Sequence, residues 1–111
     1  MITQKQNTIV LTDLAHISNN RVTLPKKICD KLGLKNKSLV SIVNVRGNKC
    51  FDINKYDPEI QYSKKFGFIR EVATPLSISR ADEFLQGLDT QKTRQTICQL
   101  LDNDTIRVSL C

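Results

Sequence analysis

Between Ile17 and Leu34 the chain reads ISNNRVTLPKKICDKLGL, an order of residues that leaves the backbone few choices. Arg21, Val22, Thr23 and Leu24 alternate and favour an extended strand. Pro25 ends the ladder, because it has no N–H to donate, and its fixed φ suits the first position of a helix. Ile28 and Leu32 stand four apart and share one helical face, which leaves Lys26, Lys27 and Lys31 on the solvent side. Gly33 tolerates the left-handed conformation that closes a helix. A strand, a proline, one short helix and a stop are expected in succession.

The flanks extend this unit. Ile9, Val10, Leu11, Leu14 and Ile17 predict one strand or two short ones between Thr8 and Ile17, with Thr12 and Asp13 as a possible kink. A tight turn at Ser18, Asn19 and Asn20 follows, and asparagine accepts the left-handed backbone such a turn requires. After the helix, Lys35-Asn36-Lys37-Ser38 reads as a polar loop. Leu39 to Val45 is the clearest strand. Gly47 and Asn48 form a two-residue hairpin signal, returning into a strand over Lys49 to Asn54 with Phe51 and Ile53 on one face. A unit of about 45 residues with four short strands and one helix buries too little apolar surface to stand alone, and a second copy would complete it economically.

The run Asn20-Arg21-Val22-Thr23-Leu24-Pro25-Lys26-Lys27-Ile28, followed by Lys31-Leu32-Gly33-Leu34, resembles the swapped-hairpin domain of the AbrB, SpoVT and MazE family. The resemblance covers Thr8 to about Lys55. It implies a mainly β fold with short helices, a β-barrel formed when two chains interleave their hairpins into a homodimer, and binding of double-stranded operator DNA. It places Arg21 where the family's side chain commonly reaches DNA. Lys26, Lys27 and Lys31 would meet phosphates, with Asn19 and Asn20 beside them at the turn and Lys5 and His16 as weaker candidates. Two positions depart from the family: Cys29 stands where arginine is frequent, and Asp30 where some members are basic. Such a face would make fewer base contacts and depend more on DNA shape, or bind without sequence preference, or serve protein contacts instead.

Beyond Lys55 no motif is recognisable, and residues 56–111 read as a folded C-terminal extension attached to a DNA-binding domain of residues 1–55. Asp57-Pro58 marks the break. Lys64 to Ala73 suggests a strand. Ser79, with Asp82 three residues on, suggests the start of a helix carrying Ala81, Phe84, Leu85 and Leu88 and stopping near Gly87. A second helix is expected from Thr90 to Leu101, burying Ile97, Cys98, Leu100 and Leu101. Asn103 and Asp104 then turn the chain into a last strand, Thr105 to Leu110. This is a small α/β unit, unlike the acidic disordered tail by which antitoxins of the MazE type grip a toxin.

Charge sharpens the contrast between the halves. The formal net charge is +6. Met1 to Lys55 holds ten Lys or Arg against three Asp, a balance of +7, whereas Tyr56 to Cys111 holds seven against eight, a balance of −1. Clustered lysine and arginine in one half favour a polyanion partner, because cations release counterions when they meet phosphates. The same lysines read singly are an ordinary solvated face.

Other classes find little support. No apolar run would span a bilayer and no signal-peptide pattern is present, so a cytoplasmic protein is expected. Cys29, Cys50, Cys98 and Cys111 form no C-x-x-C pair and His16 is the lone histidine, which speaks against zinc, a disulfide framework and a Cys/His catalytic pair. Asp102 and Asp104 are explained by turn propensity. No phosphate-cradling glycine loop occurs, and neither cofactor, metal nor catalytic residue is expected. Three functions fit: a dimeric DNA-binding regulator, an antitoxin that autoregulates its promoter and binds a toxin through its C-terminal half, or a protein-interaction module with the barrel redeployed.

Overall fold

The computed structural model describes residues 8–45, 49–57, 68–85 and 87–110. Lys5, the turn expected at Gly47 and Asn48, the break at Pro58, the start of the strand expected from Lys64 and Cys111 lie outside these residues.

Among the described residues eight strands form one antiparallel sheet: β1 (Ile9–Ser18), β2 (Arg21–Thr23), β3 (Leu39–Val45), β4 (Cys50–Lys55), β5 (Phe68–Glu71), β6 (Ser77–Ser79), β7 (Arg94–Leu101) and β8 (Ile106–Ser109). Their spatial order is β5-β3-β4-β8-β7-β1-β2-β6. A bridge between Ala73 and Ser77 brings β5 and β6 together, so the sheet is nearly closed into a barrel. The one α-helix among the described residues, α1 (Lys26–Leu32), packs against β1 and buries Ile28, Cys29 and Leu32.

The first half forms largely as its residues dictate. Asn19 and Asn20 take φ of 53° and 62°, so both central residues of the β1–β2 turn are left-handed, as a type I′ turn requires. Pro25 occupies the cap position just before α1 and its carbonyl accepts the N–H of Cys29 at 3.1 Å. Gly33, at φ 75°, closes the helix, and the next N–H, of Leu34, returns to the carbonyl of Cys29. β1 is one continuous strand. Its irregularity falls between Ile9 and Leu11, not at Thr12 and Asp13, because Val10 is the extra residue of a bulge against β7. Phe51 and Ile53 share the buried face of β4.

The second half differs from its expected form at two places. No helix runs from Thr90 to Leu101; Arg94–Leu101 is instead the strand β7, pairing with β1 from Ile9↔Leu101 to Ile17↔Arg94. Thr96, Cys98 and Leu100 are buried in alternation, while Ile97, expected inside, is 48% exposed. That is the period of a strand, and partners on β1 and β8 make it the stable choice. Nor does a helix follow Ser79. Ser79 belongs to β6, opposite Arg21, and Arg80 reverses the chain at φ 54° into a single 3-10 turn, Ala81–Glu83. Ala81, Phe84 and Leu85 still enter the core, where Phe84 meets Phe51 edge-on at 5.4 Å. The last strand forms as expected, entered through Asp104 at φ 63°.

These strands also decide how the first half is covered. β8 is hydrogen-bonded to β4, β7 to β1, β5 to β3 and β6 to β2. Residues from both sides of the expected boundary near residue 55 therefore alternate in one sheet around one core. Val22, Ile42, Ile53, Ile78, Ile106 and Val108, all fully buried, come from five different strands of this core. Between β4 and β8, Arg107 donates from Nε and Nη2 to the two carboxylate oxygens of Asp52 at 2.8 and 2.9 Å, a fork geometry that fixes register. No helix among the described residues is long and apolar enough to cross a membrane.

Candidate nucleic-acid interface

The six residues singled out for DNA contact fall into two groups. Lys26, Lys27 and Lys31 lie on the outer side of α1 and are exposed. Asn19, Asn20 and Arg21 lie at the β1–β2 turn. Val22 to Pro25 separate the two groups in the chain.

The turn group is committed to the fold. Asn20 donates its N–H to the carbonyl of Thr90 at 2.8 Å, and its own carbonyl accepts the N–H of Ala81 at 3.0 Å. Its side-chain Oδ1 accepts the N–H of Asp82 at 2.6 Å and the hydroxyl of Thr90 at 3.3 Å. Arg21 is half-buried, and its Nη1 donates to Ser77 Oγ at 2.8 Å across β2 and β6. Asn19 alone of the three is exposed. Arg80, Lys92 and Arg94 are exposed near this end, but so are Asp82, Glu83 and Asp89, and the local charge balances.

The helix group is joined by residues the motif does not contain. Lys35 and Lys37 follow α1 in a loop pinned by its backbone: the Lys35 N–H donates to Ser38 Oγ at 2.9 Å, and the Lys37 N–H donates to the carbonyl of Val72 at 2.6 Å. Lys55, at the end of β4, brings its ammonium beside Gly33, within 3.8 Å of where a Cβ would stand. That puts Lys31 and Lys55 at the C-terminal end of α1, where the unpaired carbonyls favour cations. All six lysines are exposed. Residues 26–37 contain five of them against one acid, Asp30.

Asp30 is not idle. It accepts from Lys26 Nζ at 2.8 Å, an exposed i,i+4 pair that raises the lysine's pKa through that hydrogen bond and then through charge attraction. Among the described residues, Lys26 is the only one of the six in an ion pair. Lys27, Lys31, Lys35, Lys37 and Lys55 thus present charge outward. Lysine is a compact point charge without the arginine fork, so such a face suits phosphates better than base edges.

Beneath the helix lie two thiols. Cys29 and Cys98 are both fully buried. Burial pushes Cys29 up to about 11, with Asp30 adding to it. Cys98 rises to about 12, again through burial first, then the charges of Cys29 and Asp13. Thiols held in this form are packing groups, poor nucleophiles at neutral pH. Among the described residues no group of three or more His, Cys, Asp and Glu side chains could hold a metal.

The lysines on the loop and on β4 were present in the sequence as a polar loop and a strand end. Their convergence on α1 was not, because it depends on the turn at Gly33 and on the β3–β4 register. Comparison with known protein families, curated proteins and solved structures returns no match.

Proposed function

We propose that this protein is a non-enzymatic, DNA-binding transcriptional regulator that engages double-stranded DNA through the lysine face of α1, the loop at Lys35 and Lys37, and Lys55. The observation that carries this reading is the gathering of six exposed lysines around one short helix, with a single acid among residues 26–37. The resemblance of residues 8–55 to a swapped-hairpin DNA-binding domain points the same way. In that family the face belongs to an interleaved homodimer. Here the strands that cover the sheet are the chain's own β5 to β8, so the reading requires no exchange of hairpins.

The mechanism is electrostatic. Lysines placed on a rigid helix and a pinned loop meet successive phosphates, and each contact releases condensed counterions. No arginine, glutamine or asparagine projects from α1 to read base edges, since Cys29 points into the core and Asp30 is paired with Lys26. Register comes from phosphates, and discrimination between sequences comes from groove shape more than base contacts.

A salt titration of binding to mixed duplex DNA, read by anisotropy, tests the proposal. Engagement of about five phosphates gives a log–log slope near −4 to −5. Charge reversal at Lys27, Lys31 and Lys35 together is expected to abolish binding while leaving the circular dichroism spectrum unchanged. Absence of binding at low salt, or binding indifferent to these three changes, would remove the lysine face from the function.

A further inference from the structure

β5 and β6 stand at the two ends of the strand order and meet at a seam that the backbone barely closes. Ala73 and Ser77 exchange N–H and C=O at 2.8 and 2.9 Å, and among the described residues that single bridge is the backbone pairing between them. Each pair of adjacent strands elsewhere in the sheet keeps register over three or more residue pairs.

Past the bridge, side chains span the gap. Nη2 of Arg70, on β5, donates to Oε2 of Glu83 in the 3-10 turn that follows β6. The same guanidinium donates from Nη1 to the carbonyl of Ile69 at 3.1 Å, and its Cζ lies 5.0 Å from the centre of the Phe68 ring. Phe68 in turn stands 6.1 Å from Phe84, whose carbonyl accepts the side-chain amide of Asn44 on β3 at 2.8 Å. The Arg70 side chain is only 12% exposed, and its Nε is buried without a partner. It is a largely desolvated cation, and among the described residues Glu83 is the one carboxylate paired with it. Taking the partner from such a cation costs more than breaking a surface pair, because the charge left behind is buried.

This closure bears on the lysine face through Val72, two residues past Arg70. The Val72 N–H donates to the carbonyl of Ser38 at 2.8 Å, and the Val72 carbonyl accepts the N–H of Lys37 at 2.6 Å. Lys37 stands at φ 74°, a left-handed conformation that a residue with a Cβ keeps only when its surroundings hold it. The loop of Lys35 and Lys37 is thus tied to the end of β5. That strand is paired with β3 along one side, and on the other the bridge at Ala73 and the Arg70–Glu83 contact hold it.

We propose that the Arg70–Glu83 contact is a latch on the barrel seam, and that by holding β5 it positions Lys35 and Lys37 for phosphate contact. The positioning role rests on the DNA reading above; the latch does not. With the latch open, β5 loosens first, the two backbone bonds of Val72 weaken, and the loop loses its fixed shape while keeping its charge. Arg70 and Glu83 are positioning residues.

Amide hydrogen exchange without DNA tests the latch. In Glu83→Gln the amides of Lys37, Val72 and Ala73 are expected to exchange about three- to tenfold faster, while that of Leu101, bonded to Thr105 across the β7–β8 turn, keeps its wild-type rate. Replacing the pair by apolar side chains, Arg70→Met with Glu83→Leu, is expected to restore protection, since no cation is then left buried. Unchanged rates in Glu83→Gln, or equal acceleration at Leu101, overturn the latch. In the wild type itself the Val72 and Ala73 amides are expected to open short of global unfolding and before Leu101; exchange of all three together overturns the latch whether or not a variant folds.

Anisotropy with duplex DNA tests the positioning. Glu83→Gln removes a negative charge, which alone would tighten binding to a polyanion. Loss of the latch is expected to weaken it instead, by roughly two- to fivefold. Equal or tighter binding overturns the positioning role. A wild type that binds no duplex DNA overturns the lysine-face reading and the positioning role with it, and the exchange rates still judge the latch.

Discussion

Oδ1 of Asn20 accepts the backbone N–H of Asp82 at 2.6 Å, tying the tip of the first hairpin to the 3-10 turn that follows β6. The same residue holds φ 62° in the hairpin turn. It therefore does two jobs, and they separate by mutation. Asn20→Gly keeps the backbone conformation and loses the side-chain bonds, and it is expected to lower stability by about 0.5–1.5 kcal/mol through the loss of the bond to Asp82. Asn19→Gly, at φ 53° and with its side chain exposed, is expected to leave stability unchanged or slightly higher. Urea unfolding of the two variants beside the wild type decides it, and equal losses would mean that only the backbone matters.

Arg21 was expected to be an exposed contact at the turn, and its hydrogen bond to Ser77 gives it a structural role as well. Both Arg21→Ala and Ser77→Ala should lower stability by about 1–2 kcal/mol. The double variant should lose little more than either single one, since the two share one bond. Additive losses in denaturant would show that the pair is not coupled. In DNA titrations, Arg21→Ala should weaken binding far less than reversal of Lys27 and Lys31.

Asp30 opposes the lysine face in two ways, as a negative charge and as the partner of Lys26. Asp30→Asn is expected to tighten DNA binding several-fold at low salt and to steepen the salt slope by up to about 0.9, the increment of one further phosphate contact. Reversal at Lys27 alone should reduce the slope by a similar amount. Anisotropy at four or more salt concentrations measures both, and an Asp30→Asn variant that binds more weakly would contradict the geometry.

The thiols of Cys29 and Cys98 make stability fall in alkali. An unfolded thiol titrates near its ordinary value of 9, while in the folded protein these two are pushed up to about 11 and about 12. Below pH 8 both states keep their protons and the thiols contribute no slope. From pH 9 the unfolded chain releases protons that the folded chain retains, so stability declines toward pH 11, by up to about 2 kcal/mol per thiol at pH 10.5. Urea midpoints at pH 8 and pH 10.5 measure the drop, which should be smaller in a Cys29→Ala, Cys98→Ala double variant. A drop of equal size in that variant would assign it to other groups.

Local chemistry made much of the first half legible. Asn-Asn at a turn, Pro25 before a helix, Gly33 after it and the Phe51–Ile53 alternation each act through backbone sterics or a period of two, and neighbours within a few residues suffice to express them. The lysines on the outer side of α1 followed from the same helical period, but their companions did not. Lys35 and Lys37 follow the turn at Gly33 just past the helix, and Lys55 comes beside Gly33 only because β4 pairs with β3.

The segment Thr90–Leu101 shows where local reading fails. Its apolar residues fit a helix about as well as a strand, and the choice was made by β1 and β8, which offer hydrogen-bond partners along its length. The same long-range pairing decided how the core is covered. A sequence reading of residues 8–55 alone shows an incomplete sheet; in the structure, strands between residues 68 and 109 complete it. The sequence by itself determined turns, helix ends and the excess of positive charge in the first half. Which strands lie side by side, whether Arg21 and Asn20 face a ligand or their own fold, and where the lysines gather were tertiary decisions, because each depends on partners dozens of residues away in the chain.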